Sequence, residues 1–192
     1  MPRKSNLHEF RVAILATDGV EDTELREPKQ ALEKAGAKTT LIAPKQKEIQ
    51  SFKHFDKEDK FNVDMTLAEA AAKDFDAVLL PGGALNADTM RVQPQAQEFV
   101  REMDRQGKPI AVICHAPWLL VSAGLVGGRT MTSYHTIQDD IRNAGGKWQD
   151  TEVVRDRNWV SSRQPSDIPA FNRAMIELFS EKKTSGEARR AA

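Results

Sequence analysis

The chain has 192 residues, 40% of them hydrophobic, which is enough for one sizeable core and too little for two ordinary domains. Lys plus Arg and Asp plus Glu both total 28, so the formal net charge is zero and the whole-chain field offers nothing to a polyanion, which argues against nucleic acid as a primary partner. A single cysteine excludes an internal disulfide, and the four histidines (His8, His54, His115, His135) lack metal-ligand spacing, so neither a metal nor another cofactor is expected.

Residues 1–9 read as a polar, flexible tail. The first apolar stretch, VAILA at 12–16, is too short for a secretory signal or a membrane span, so the expected location is the cytoplasm. Residues 11–16, rich in Val, Ile and Leu with little alternation, suit a central strand buried on both faces. After the loop TDGVED, Leu25, Ala31, Leu32 and Ala35 recur at helical spacing, with Gly36 placed to cap the end and Pro28 expected to kink the first turns. A second strand follows at 39–43. Residues 44–65 are polar and mixed, anchored only by Phe52, Phe55 and Phe61, and read as a hairpin excursion. Residues 67–72 read as a short alanine-rich helix, and 77–80 as an apolar strand running into Pro81, Gly82 and Gly83. A helix at 95–105, with Phe99, Val100 and Met103 on one face, leads through Gly107 to the strand PIAVI at 109–113. Helices are expected at 118–123 and 137–144. An edge hairpin is expected within 148–163, turning near Arg157 and Asn158, and a last amphipathic helix at 167–179 precedes a charged, flexible tail from Glu181. The β-α-β-α-β order requires right-handed crossovers and a mostly parallel sheet covered on both faces. Residues 10–180 are therefore expected to form one α/β sandwich domain.

Cys114 carries the strongest chemical signal. A lone cysteine beside an apolar strand is ordinarily a small core residue. Here it ends the strand, an imidazole follows at once in His115, and Pro117 suits the first turn of the next helix, so the sulfur falls on a sharp strand-to-helix turn that holds a side chain out of the sheet. Amides at that helix start, together with His115, are expected to lower the thiol pKa.

In open α/β sheets, ligands collect at the carboxyl ends of strands, which brings Glu21, the Gly82-Gly83 turn and Cys114 together. Desolvated near a thiolate, Glu21 would stay protonated and donate a hydrogen bond to sulfur; the other reading is a solvated loop acid beside Asp22 and Glu24. The amides of Gly82, Gly83 and His115 are candidate oxyanion donors, although a PGG sequence also makes a plain tight turn. His115 needs an orienting acid, for which Asp88 is the candidate, or else Asp88 caps a short helix. Tyr134 and His135, after the next strand, line the pocket or are ordinary loop residues.

The segments LLPGGALNADTMR, AVICHAPWLL, SAGLVGGRTMTSY and NWVSSRQPSDIPAFNR resemble the PfpI-type intracellular protease family. That family lies within the superfamily of DJ/PfpI, class I glutamine amidotransferase-like proteins, and the similarity runs over residues 10–179. The resemblance implies a flavodoxin-like sandwich that self-associates at least into dimers. It also implies Cys114 as nucleophile, His115 as its partner, Glu21 as the protonated acid on the thiolate, and Asp88 as the acid of the Cys-His pair, in some members supplied by a neighbouring subunit. Two departures stand out. The segment between Gly83 and Arg91 is one residue longer than in close relatives, and Ala116 replaces the glycine common after Cys-His. True glutamine amidotransferases carry a His-x-Glu pair far downstream, and no histidine follows His135, so glutaminase activity is not expected.

Family members are described as peptidases, as glyoxalases or deglycases acting on methylglyoxal and its adducts, and as redox-responsive stress proteins. Fold alone does not choose among these. The preferred expectation is a cofactor-free, stress-protective enzyme in which Cys114 adds to a small carbonyl compound. The alternatives are a Cys-His-Asp peptidase, and a non-enzymatic redox sensor or chaperone acting through oxidation of Cys114.

Overall fold

A computed structural model of the chain describes residues 7–191; residues 1–6 of the expected amino-terminal tail, and residue 192, lie outside the described residues. The strands in chain order are β1 (Arg11–Leu15), β2 (Val20–Glu21), β3 (Lys38–Ala43), β4 (Glu48–Lys53), β5 (Asp56–Asn62), β6 (Met65–Thr66), β7 (Ala77–Leu80), β8 (Ile110–Ile113), β9 (Thr130–Met131), β10 (Lys147–Trp148), β11 (Val153–Asp156) and β12 (Trp159–Ser162). The helices are α1 (Asp22–Lys34), α2 (Ala84–Arg91), α3 (Pro94–Arg105), α4 (Pro117–Ser122), α5 (Gln138–Asn143) and α6 (Ile168–Ala191). Seven strands make the main sheet in the order β11-β12-β8-β7-β1-β3-β6, all parallel except the β11/β12 hairpin at one edge.

The alternation of side chains along each strand divides the core in two. Val12 and Ile14 of β1, with Ala111 and Ile113 of β8, face α1 and α6 through Leu25, Leu32, Phe171 and Met175. Ala13 and Leu15, with Ile110 and Val112, face the other layer through Met90, Phe99, Val100, Leu119 and Ile141. Both faces of the sheet are covered, which is why its central strands read as unbroken apolar runs. Each fully buried Leu or Ile in these clusters contributes about 1.5–3 kcal/mol from area removed from water.

The excursion at 44–65 is a hairpin of β4 and β5, and β2 joins it to form a separate three-stranded sheet. The expected helix at 67–72 is a turn followed by a single 3-10 turn, Ala72–Asp74. Leu67 donates its amide to the Ala43 carbonyl at 2.9 Å, which continues the β6 pairing, and so short a segment gains too little to nucleate a helix. A short helix capped by Asp88 is one reading of the sequence; the helix observed, α2, starts earlier, with Gly83 at its cap and Asp88 within it. The tail expected from Glu181 continues α6 as helix through Ala191. Glu181 pairs with Arg155 of β11, and Lys183 Nζ donates to the His8 carbonyl at 2.8 Å, so this extension is tied to the domain. At the other end, fully buried Leu7 donates its amide to the Ala35 carbonyl at 2.8 Å.

A buried polar knot fixes the start of β12. Asp104 Oδ1 accepts from Arg129 Nη2 at 2.6 Å and from the Trp159 indole at 2.8 Å, and the Arg129 guanidinium lies 4.1 Å over the Trp159 ring. Trp159→Phe keeps the apolar bulk and removes the indole donor. It is expected to cost about 2 kcal/mol, read as a lower urea midpoint at unchanged slope.

Candidate active site

The carboxyl ends of β1, β7 and β8 meet where the strand order reverses. From β1 the chain moves to β3 on one side, and from β7 to β8 on the other. Clefts form at such points. Cys114 ends β8 with φ 64°, a left-handed backbone that is costly for a side chain bearing a Cβ and persists only where its surroundings fix it. They do so here through two bonds: the Cys114 amide donates to the Ser162 carbonyl at 3.1 Å, and the Cys114 carbonyl accepts the Tyr134 amide at 2.9 Å. Pro117 then occupies the first turn of α4, as its missing amide hydrogen allows. His115 Nδ1 lies 3.1 Å from Cys114 Sγ, so the elbow turns two sequence neighbours toward each other.

The carboxyl group against the sulfur belongs to Glu24, not Glu21. Glu24 is fully buried, its carboxyl lies against the Cys114 side chain, and its Oε2 accepts the Gly82 amide at 3.0 Å. Its Oε1 has no hydrogen-bond partner among the described residues of the chain. Glu21 precedes α1 in extended backbone, and its Oε2 accepts the His54 amide at 3.1 Å, so it faces the hairpin and not the thiol. The missed signal lies in the helical phase: Glu24, Pro28 and Leu32 are four apart, and all three are buried on one stripe of α1.

Burial pushes the Glu24 carboxyl up to about 8, so it is an uncharged acid at neutral pH. Burial also pushes the Cys114 thiol well above its ordinary value, and a charged Glu24 would push it further, while amides of Gly83 and His115 directed at the sulfur pull the other way. The expected depression of the thiol is therefore overturned. Helix α4 is only six residues long, and desolvation outweighs what its start supplies. A proton on Glu24 removes the charge repulsion and leaves a hydroxyl for the thiolate. The His115 imidazole is held below its ordinary value by burial and by the nearby charge of His135, so it is a neutral base at rest.

Of the three expected oxyanion donors, Gly82 is committed to Glu24, leaving Gly83 and His115. Gly82 serves by lacking a side chain. A Cβ there would lie 2.3 Å from Glu24 Oε2 and 2.5 Å from Cys114 Cβ. Gly83 has φ 91°, and its Cβ would meet the Gly19 carbonyl oxygen at 2.3 Å. Buried Asn86, which sequence reasoning passed over, clamps this turn: its Nδ2 donates to the Pro81 and Gly82 carbonyls at 3.0 and 2.9 Å, and its Oδ1 accepts the Thr17 amide at 2.8 Å.

Asp88 is exposed on α2 and makes no hydrogen bond to His115; Thr136 Oγ1, at 3.2 Å, is the group on His115 Nε2. Tyr134 stacks on the His115 ring at 4.8 Å, and His135 lies beyond it at 4.5 Å from the Tyr134 ring. Among the described residues no group of three or more His, Cys, Asp or Glu side chains could hold a metal ion, and no helix is long and apolar enough to cross a membrane. A surface cavity of about 720 Å³ lies at the other end of the strands, lined by Phe10, Asp76, Lys108, Pro109 and Asn158 among others, and none of the candidate residues faces it.

The arrangement is a buried thiol with a neutral base on one side, a neutral acid on the other, and two amides at the sulfur. Comparison with known proteins places it. The chain is 41% identical over 170 residues to deglycase PfpI of Pyrococcus furiosus, covering 88% of this chain and 99% of that one. It is 37% identical over 170 residues to protein/nucleic acid deglycase 2 of Escherichia coli, covering 88% and 97%. The crystal structure of DJ-1beta from Drosophila melanogaster superposes with a TM-score of 0.82 at 26% identity, covering 95% of this chain and 97% of that one. The flavodoxin-like sandwich expected from the resemblance is the observed fold. Residues 10–178 match the DJ-1/PfpI family, and the chain belongs to that family.

Proposed function

We propose that the protein is a cofactor-free deglycase or glyoxalase whose substrates are small dicarbonyl compounds such as methylglyoxal, or their early adducts on amines and thiols. The observation that carries this reading is Glu24, a buried carboxyl held uncharged against the only thiol of the chain. Relatives that bear the name deglycase over nearly their whole length support it.

Sγ attacks the aldehyde carbon, a C–S bond forms, and the carbonyl π pair moves onto oxygen. The thiol proton passes to His115 Nδ1 and then to that oxygen, giving a hemithioacetal. A proton then leaves C1 and one returns to C2, so the aldehyde carbon is oxidised to a thioester while the ketone carbon is reduced to an alcohol. Water cleaves the thioester to lactate and restores the thiol. Gly83 and His115 amides meet the negative charge that develops near sulfur, and Glu24 holds a proton ready to donate.

A peptidase triad lacks its acid within one chain, since Asp88 does not reach His115. The test uses the purified adduct of methylglyoxal with N-acetylarginine, freed of excess dicarbonyl, in a buffer without amines. A deglycase releases lactate and N-acetylarginine faster than the adduct reverses on its own. Consumption of free methylglyoxal alone would restrict the activity to the glyoxalase type, and no reaction with either substrate would defeat the reading.

A further inference from the structure

We propose that Thr136 is the positioning residue for His115, standing where a triad acid would stand and fixing the imidazole with Nε2 protonated and the Nδ1 lone pair facing Cys114. Nδ1 lies 3.1 Å from Sγ, and Nε2, on the opposite side of the ring, lies 3.2 Å from Thr136 Oγ1. The inference rests on the proposed function only in taking His115 as acceptor of the thiol proton.

Three features make this contact a built one. Thr136 sits in a single 3-10 turn, His135–Ile137. Just before that turn, the Tyr134 amide donates to the Cys114 carbonyl at 2.9 Å, which ties the turn to the elbow itself. Within it, Ile137 is 1% exposed and anchors the far side in the core. The ring of His115 is then held between Tyr134, stacked at 4.8 Å, and the edge of Trp118 at 5.6 Å. With its plane set by two aromatic neighbours and its two nitrogens set by sulfur and hydroxyl, the imidazole has one orientation.

Which nitrogen of a neutral imidazole carries the proton is decided by the hydrogen bond the other makes. Thr136 is exposed, so its hydroxyl hydrogen turns to water and Oγ1 keeps a lone pair for Nε2–H. The thiol then donates to Nδ1, the nitrogen that must take its proton. After transfer both ring nitrogens carry hydrogen, and Nε2–H still donates to Oγ1, so nothing reorganises. A carboxylate in the same place would also hold the ring as imidazolium. A hydroxyl adds no charge, so the proton stays available for the substrate oxygen. Within the chain the titratable groups around the ring are Cys114, Tyr134 and His135, with Glu24 across the sulfur, and none of these bonds Nε2.

Cys114 is the only cysteine, so alkylation by iodoacetamide reports on this sulfur alone and needs no substrate. Thr136→Val preserves shape and removes the acceptor. Its melting temperature should match wild type, while its alkylation rate at pH 7 falls about fivefold to tenfold and the rise of rate with pH moves to higher pH. Thr136→Ser should restore both. In ¹⁵N spectra, His115 should carry its hydrogen on Nε2 in the wild type and in the Ser variant, and populate both tautomers in the Val variant. An unchanged alkylation profile and an unchanged tautomer in Thr136→Val would overturn the assignment. A wild-type protein that alkylates as described but turns over no carbonyl compound would defeat the proposed function and leave this inference standing.

Discussion

Glu24→Gln is expected to melt roughly 6–12 °C above the wild type at pH 7 and at nearly the same temperature at pH 4.5. Glu24 has its carboxyl raised from 4.5 to about 8 by burial. Between those values the folded state holds a proton that the unfolded chain releases, so this group's contribution to stability falls as pH rises through the window. At pH 7 the cost is about 3 kcal/mol, from 2.5 units between 4.5 and 7. A glutamine has nothing to release, and its carboxamide can still accept the Gly82 amide. The gap should therefore open steadily from pH 4.5 toward 8, followed by calorimetry at half-unit steps. A gap that does not change with pH would mean that Glu24 is ionised in the folded protein. The same variant should still present an N–H to the sulfur, yet it cannot give up a proton, so carbonyl turnover is expected to fall while alkylation of Cys114 persists.

Gly82→Ala is expected to damage the active-site turn severely. Its Cβ would lie 2.3 Å from Glu24 Oε2, 2.5 Å from Cys114 Cβ and 2.9 Å from the Ile113 carbonyl oxygen. The Glu24 carboxyl can swing away only by giving up the Gly82 amide. The other two atoms belong to the elbow, whose φ of 64° is already fixed by bonds to Ser162 and Tyr134. Overpacking of this kind costs about 3 kcal/mol or more, on the order of 10 °C in melting temperature. Gly107 is the control, since a Cβ there meets nothing within 4 Å and only its φ of 65° opposes substitution. Gly107→Asn should therefore lose no more than about 1 kcal/mol, because Asn tolerates that backbone. Equal losses in the two variants would show that the crowding at Gly82 is relieved without cost.

What could be read from the sequence follows how much each segment depends on its neighbours. The apolar run that ends in Cys114, followed by His115 and Pro117, announces a buried strand and a sharp turn by composition alone, and the structure has both. The acid was misplaced by three residues because Glu21, in the loop after the first strand, stands nearer the strand end, while Pro28 reads as a kink that obscures the phase of the helix. Seen instead as a buried member of the stripe, it puts Glu24 in phase with Leu32 and turned inward. Strand β5, DKEDKFN, is almost wholly exposed and shows no alternation, since only its pairing with β4 makes it a strand. Helix α2 follows two glycines and carries little apolar pattern, so only its packing on the β2 and α4 regions reveals it. Thr136 was invisible for a different reason. A hydroxyl in a one-turn loop has no sequence signature, and only the Tyr134 tie to the elbow brings it to His115.

Lactate formation from methylglyoxal by the wild-type protein and by Cys114→Ser, with no glutathione or metal added, tests the chemistry assigned to Cys114. Turnover by the wild type that is abolished by the substitution is the predicted result. Lactate formed equally by both proteins would contradict it, because the carbonyl chemistry would then lie outside the site built around Cys114, His115 and Glu24.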